Sequence, residues 1–141
     1  MPTQWRIGPG EKGRELFEAG DHFKAHEAWE EGWVKLPEPW KSEVKAWIQV
    51  CGVLVHVKKG KWDPALRLAE RAIEWLIDAR AHRELMEFDP LTDEATLWDL
   101  EEKLLRLSAA LKMRSPQDIP SRVSALQNIR PKFMKEGKWL T

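Results

Sequence analysis

The stretch AWIQVCGVLVHV, residues 46–57, decides the fold of this chain. The valine-rich centre is compatible with a strand, but the length of the segment favours a helix that begins near Trp40 and ends at Gly60. A helix that is apolar on nearly all sides is expected at the centre of a bundle. The twelve residues of the apolar stretch are too few to span a bilayer. The apolar positions that recur with the 3.6-residue period of a helix are Val44, Trp47, Ile48, Cys51, Leu54 and Val55.

Further helices are predicted on both sides of this segment. Gly20 ends a short helix, Asp21 is a suitable N-cap for the next one, and Asp63-Pro64 is typical of a helix start. No segment alternates convincingly between apolar and polar residues, and every connection is short. The sequence therefore predicts an all-α protein, a compact bundle of about five antiparallel helices built from helix hairpins. These helices are expected at residues 14–19, 21–36, 40–59, 63–77 and 93–112.

The chain of 141 residues has the usual size of one domain. Residues 1–13 are rich in proline and glycine and are expected to be disordered. Residues 14–112 are expected to form a single helical domain, and residues 113–141 a basic C-terminal extension. Prolines leave room in this extension for one short helix at 121–129, and the chain beyond Pro131 is expected to be loose.

Charge and composition favour some classes of function over others. Lys+Arg and Asp+Glu both number 23, so no net charge attracts nucleic acid or an anionic membrane. From Lys112 onward seven basic residues face two acidic ones, and a solvated surface is favoured over a nucleic-acid arm because no aromatic residues interleave with them. The single Cys51 excludes an internal disulfide, and a cytoplasmic protein is expected. The nine tryptophans, unaccompanied by tyrosine, have no functional interpretation of their own.

The sequence HEAWEEGW at residues 26–33 carries the candidate site. His26 and Glu30 lie one helical turn apart and point the same way, so they can share a metal ion or a proton. Gln49 and His56 are the only polar residues in the apolar stretch, and their seven-residue spacing puts them on one face. Buried polar groups need partners, so we expect these four residues and Trp33 to form one polar pocket. The alternatives are a simple surface hydrogen bond between His26 and Glu30, and a helix-capping role for His56.

The chemistry of this pocket suggests a divalent metal ion as cofactor. Imidazole and carboxylate groups suit such ions, and catalytic sites combine about three protein ligands with an open position for water. His26, Glu30 and His56 fit that number, which makes a hydrolytic function a hypothesis. The spacing matches neither the zincin motif nor a ferritin-like di-iron site. Because no nucleophile or oxyanion stabiliser is identified, the sequence leaves open whether the protein is an enzyme.

A faint internal repeat supports a different class of function. Glycine followed by a bulky residue and alanine is typical of tetratricopeptide-type hairpins, so the alternative is a non-catalytic module that binds a partner protein or a second copy of the chain. His26 corresponds to Leu66, which means that one copy keeps a polar residue where the other is apolar. At an offset of 40 residues, Gly20, Ala25 and Glu30 correspond to Gly60, Ala65 and Glu70.

These residues also resemble a known family, the bacterial and archaeal "domain of unknown function 309" proteins, which carry the motif His-x-x-x-Glu-x-x-Trp/Tyr. The resemblance extends over about residues 14–80, and residues 85–141 lie outside it. It implies an all-helical fold and a metal-binding role for His26 and Glu30, and it implies no reaction. The matching blocks are residues 17–23, 25–27, 47–49 and 65–68, with His56 and Lys59-Gly60 between the last two.

Overall fold

The computed structural model describes residues 2–139 of the chain. Successive helices pack against each other as hairpins, and these residues contain no extended strand pairing beyond one isolated bridge. The prediction of an all-α bundle is confirmed. Among the same residues, no helix has both the length and the apolar character needed to cross a membrane. The main helices of the described chain are Glu11–Glu18 (α1), His22–Glu30 (α2), Trp40–Lys58 (α3), Trp62–Met86 (α4), Glu94–Lys112 (α5) and Asp118–Gln127 (α6).

Helix α3 is the central helix of the bundle, as its composition predicts. It packs most extensively against α4, also against α2, and touches α6. The thiol of Cys51 lies in this core, and burial raises its pKa, so it is a packing residue. The other fully or almost fully buried apolar residues of α3 are Trp40, Val44, Ala46, Trp47, Ile48, Val50, Val53 and Leu54.

The two hairpins of the internal repeat have the same turn. Gly20 and Gly60 both adopt positive φ, +86° and +72°, which glycine tolerates without strain. Each N–H donates to a carbonyl three residues back, and the next residue's N–H donates to a carbonyl five residues back. This is the Schellman arrangement, which satisfies the last carbonyls of α1 and α3. The carbonyl of His56 is one of these acceptors, so its backbone caps the helix while its side chain stays available.

Helix α2 ends earlier than predicted. The N-cap is Asp21, as expected, and its side chain accepts a hydrogen bond from the Lys24 N–H at 3.1 Å. The helix stops at Glu30 because Gly32 turns the chain with φ +75°, before the prolines expected to end it. Trp33 therefore lies on a separate 3₁₀ turn, Trp33–Lys35, and the motif sits at the end of α2.

The described segments near both termini, residues 2–10 and 131–139, are more ordered than their composition predicts. Thr3–Trp5 forms a helical turn that runs through a π-helical segment, Arg6–Gly10, into α1. Residues 1–13 were expected to be disordered, and the described part of that range, residues 2–13, is largely helical; residue 1 lies outside the described residues. Trp5 is buried and packs edge-on against Phe133. Phe133 and Trp139 are buried as well, so the described segment beyond Pro131 packs on the core and is not loose. Large aromatic side chains bury enough apolar area to hold segments that lack helical periodicity.

A buried carboxyl group ties α3 to the loop between α4 and α5. Glu43 is 1% exposed, and its two oxygens accept hydrogen bonds from the N–H groups of Leu91 and Thr92 at 2.9 and 2.7 Å. The Trp47 indole donates to the Thr92 hydroxyl at 3.1 Å. Burial raises the pKa of Glu43 to about 7, against the lowering effect of these hydrogen bonds. A single side chain therefore fixes the loop that closes the bundle.

We predict that Glu43→Gln destabilises the protein by about 1–3 kcal/mol near pH 6, because the amide replaces one acceptor oxygen and leaves a buried N–H unpaired. The raised pKa means that the native state binds more protons than the unfolded chain between pH 4.5 and about 7, so the stability contributed by Glu43 falls as pH rises through that window. The destabilisation caused by Glu43→Gln, measured by urea unfolding, should therefore be smaller above pH 7 than at pH 5. Exposed Glu84→Gln is the control, and a Glu43→Gln protein of unchanged stability at pH 6 would contradict the prediction.

Candidate functional site

An open cavity of about 310 Å³ lies between α2, α3 and the start of α4. Four of the five predicted pocket residues line it, namely His26, Glu30, Gln49 and His56; Trp33 does not. We call this cavity the His26 pocket. Its remaining lining residues are Phe23, Lys45, Ile48, Gly52, Val55, Lys59 and Leu68.

His26 and Glu30 form a close side-chain pair. The Nε2 atom of His26 lies 3.1 Å from the Oε1 atom of Glu30, and both side chains are partly exposed, at 32% and 41%. The Nδ1 atom of His26 is buried and has no hydrogen-bond partner among residues 2–139. A proton or a ligand can therefore reach this imidazole through the Nε2–Glu30 side, where the carboxylate also lies.

The α3 side of the pocket is a single stripe of side chains. Lys45, Gln49, Gly52, His56 and Lys59 follow one another at spacings of four, three, four and three residues, which places them on one face of the helix. The sequence interpretation identified Gln49 and His56 on this stripe and missed the two lysines. Extending the same spacing by one step in each direction would have found them.

The surroundings of His56 disfavour its protonated form. Burial lowers its pKa, and the positive charges of Lys61, Lys59 and Arg67 lower it further. Its Nδ1 atom is buried without a hydrogen-bond partner in the described part of the chain. A neutral imidazole can accept as well as donate a hydrogen bond, so His56 adds a versatile polar group to the pocket.

Trp33 does not line the His26 pocket, but its ring contacts one of the pocket lysines. The Lys45 ammonium lies 4.8 Å from the centroid of the Trp33 ring, and the Lys41 ammonium lies 5.5 Å from it. Such cation–π contacts hold an ammonium group in place. Trp33 therefore positions Lys45 at the edge of the pocket, although its own ring does not line the cavity.

The rest of the wall is apolar. Ile48 is buried under the pocket, and the Phe23 ring, which is 58% exposed, stacks against the His26 ring with centroids 6.1 Å apart. A Cβ atom on Gly52 would lie 2.8 Å from the Cδ1 atom of Leu68, so glycine lets α3 and α4 approach closely at this point. The pocket thus combines an apolar wall with polar and cationic groups.

The three predicted metal ligands share this pocket. His26, Glu30 and His56 all line the cavity. Within residues 2–139, no set of three or more His, Cys, Asp or Glu side chains is arranged to hold a metal ion. The His26–Glu30 pair offers two neighbouring donor atoms, and His56 lies on the α3 side of the same cavity.

His22, the first residue of α2, is partly buried. Its ring packs edge-on against Phe17 with centroids 5.0 Å apart, and its Nε2 atom is buried without a partner among the described residues. Burial lowers the pKa of His22, and the nearby Lys58 lowers it further. His22 does not line the His26 pocket and belongs to another cavity on the far side of α3.

The fold and this site define a small helical-bundle protein with an open His/Glu pocket. Residues 11–68 match the model of a family described as "Domain of unknown function (DUF309)". The family resemblance is therefore confirmed over the segment that carries α1, α2, α3 and the start of α4. The comparisons with curated proteins and with solved structures gave no match.

We predict that an NMR pH titration gives His56 a pKa below its ordinary value of 6.5, because burial and three neighbouring cations disfavour the protonated form. Lys61→Gln should raise this pKa, since it removes the largest of those charge effects. Lys24→Gln removes a charge from an exposed position on α2 and should leave it unchanged. A His56 pKa at the ordinary value, unchanged in Lys61→Gln, would contradict this electrostatic environment.

Proposed function

We propose that the protein binds a small organic anion in the His26 pocket. The observation that carries this proposal is the convergence of two lysines, Lys45 and Lys59, on a cavity that also has an apolar wall and several hydrogen-bonding groups. Small-molecule sites typically combine apolar walls with a few placed polar groups. The volume of about 310 Å³ is at the small end of the range for such sites, which favours a compact ligand.

The charges of the lining favour an anion over a neutral molecule. Glu30 is the only acidic residue that lines the pocket among those described, and its Oε1 atom lies 3.1 Å from the Nε2 atom of His26. Lys45 and Lys59 form no salt bridge with any described carboxylate, so their charges are available to a ligand. A phosphate or carboxylate group at this edge would form charge-assisted hydrogen bonds, which are stronger than neutral ones.

The polar groups opposite the lysines suggest a ligand with a second functional group. His26, Gln49 and His56 together offer hydrogen-bond donors and acceptors beside the apolar wall. Phe23, Val55 and Leu68 would cover an apolar or aromatic body between the two polar ends. The ligand class is therefore a compact phosphate or carboxylate with an apolar body.

Phenyl phosphate is a suitable probe because it combines an anionic group with an aromatic ring. We predict that Lys45→Gln and Lys59→Gln each weaken its binding about 3–10-fold, the effect of losing a charge-assisted contact at a partly exposed site. Titration calorimetry measures the affinities, and amide shifts of Gln49 and Gly52 in an NMR titration locate the binding. Lys24→Gln is the charge-matched control.

The proposal fails if both pocket variants bind phenyl phosphate as tightly as the parent protein, or if Gln49 and Gly52 do not shift. Binding should also weaken at high ionic strength, since screening acts on the lysine charges. Benzyl alcohol, which has a similar ring and no charge, should bind at least about tenfold more weakly, because it forms no charge-assisted hydrogen bond.

Metal binding is a second candidate function, favoured by the 3.1 Å contact between His26 Nε2 and Glu30 Oε1. Two donor atoms one helical turn apart can chelate a divalent ion such as Zn²⁺, whose ligands include both imidazole and carboxylate. The hydrolytic hypothesis depends on such an ion and stays a prediction. The alternative of a tetratricopeptide-like protein-binding module also stays a prediction.

We predict that, if this second candidate holds, Zn²⁺ titrated into the purified protein binds with an affinity that falls at least about tenfold in His26→Ala, the cost of losing one of few ligands. His82→Ala is the matched control, because the ring of His82 contacts the Asp78 carbonyl on α4, away from the pocket. Equal Zn²⁺ affinity in the parent and His26→Ala proteins would exclude a role for this pair in metal binding.

A further inference from the structure

A second cavity, of about 490 Å³, lies on the other side of the C-terminal half of α3. The turn between α1 and α2 forms one wall, with Phe17 and His22. Leu54 and Val57 of α3 form the floor, and α6 with the residues after it closes the cavity. We call it the His22 pocket. It shares no lining residue with the His26 pocket.

The polar groups of the His22 pocket come from three separate elements. His22 contributes a buried Nε2 atom that has no partner among residues 2–139. Lys58 comes from the end of α3, and Asn128 and Arg130 follow α6. Groups that converge from distant parts of the chain on one cavity are typical of a binding site.

The charges in the His22 pocket favour an anion. Glu18 is the only acidic residue among the described lining residues, and it is already paired with Arg14 on α1. Arg130 makes only a long contact of 3.9 Å with Glu18 and is 62% exposed, which leaves most of its N–H donors available. A guanidinium binds carboxylate and phosphate groups through two parallel hydrogen bonds. Lys58, at the end of α3, adds a second positive charge to the lining.

We propose that the His22 pocket is a second binding site, for a small molecule that carries a carboxylate or phosphate group and a short apolar body. Arg130 and Lys58 bind the oxyanion, His22 and Asn128 hydrogen-bond to the rest of the ligand, and the body packs on Phe17 and the α3 floor. Residues 11–68, the family segment, supply only one part of this site. Helix α6 and the residues after it complete the site, so the C-terminal extension has a binding role.

An NMR titration of the full-length ¹⁵N-labelled protein tests this proposal with three probes, phenyl phosphate, benzoate and benzyl alcohol. We expect both anions to shift the amides of His22, Val57 and Asn128, and benzyl alcohol to bind at least about tenfold more weakly at these residues. Tighter binding of one anion supports the site and shows whether it prefers phosphate or carboxylate. Absence of shifts at these residues with either anion, or equal binding of benzyl alcohol, would overturn the proposal.

Two variants separate this site from the His26 pocket. Arg130→Gln, at an exposed position, should weaken both anions at least about fivefold at the His22 reporters and leave the Gln49 and Gly52 shifts unchanged. Lys132→Gln removes a nearby exposed charge outside the lining and is the control. Unchanged binding in Arg130→Gln overturns the proposal. Because the reporters differ, the His26 pocket can fail its own test while this site passes, and the reverse also holds.

Discussion

The carboxyl group of Glu43 is the constraint on which the rest of the structure depends. It binds two consecutive N–H groups of the loop between α4 and α5, and the same loop is bound by other parts of the chain. The Leu91 carbonyl accepts from the Met134 N–H, and Asp89 accepts from the Trp40 indole and the Lys138 N–H. This loop is therefore joined both to α3 and to the C-terminal segment. A buried carboxyl group must keep its hydrogen bonds, so few other positions of this loop relative to α3 are compatible with the fold.

The two pockets follow from the position of α3 at the centre of the bundle. Its apolar surface packs against α2 and α4, and its C-terminal half leaves a different face open on each side. The equivalent turns at Gly20 and Gly60 directly precede α2 and α4, the two helices that pack beside α3. The two hairpins therefore share the backbone geometry of their turns but differ in side-chain chemistry. Leu66 in the second hairpin corresponds to His26 in the first.

Periodicity in the sequence predicted the helices that bury one face and the stripe through Gln49 and His56. Periodicity did not predict the features that depend on irregular backbone or on contacts between distant segments. The burial of Trp5, Phe133 and Trp139 is decided by contacts between distant segments, so no local spacing indicates it. The early end of α2 depends on the positive φ of Gly32, which the motif spacing alone did not indicate. Trp33 was predicted to line the pocket, but it lies outside the lining and contacts Lys45, a cation–π contact that is defined only by three-dimensional proximity.

The tryptophans that had no functional interpretation from composition acquire one from packing. Trp29 donates its indole N–H to the Gly10 carbonyl at 3.0 Å, and Trp5 donates to the Trp29 carbonyl at 3.3 Å, which ties the N-terminal segment to α2. Trp29 also packs against Phe133 of the C-terminal segment. Each of these two indoles thus fills a gap between segments and satisfies a backbone carbonyl there, a combination that phenylalanine cannot provide. Because α2 is held from both chain ends in this way, the His26 and His22 side chains on it are presented to their separate pockets from a fixed support.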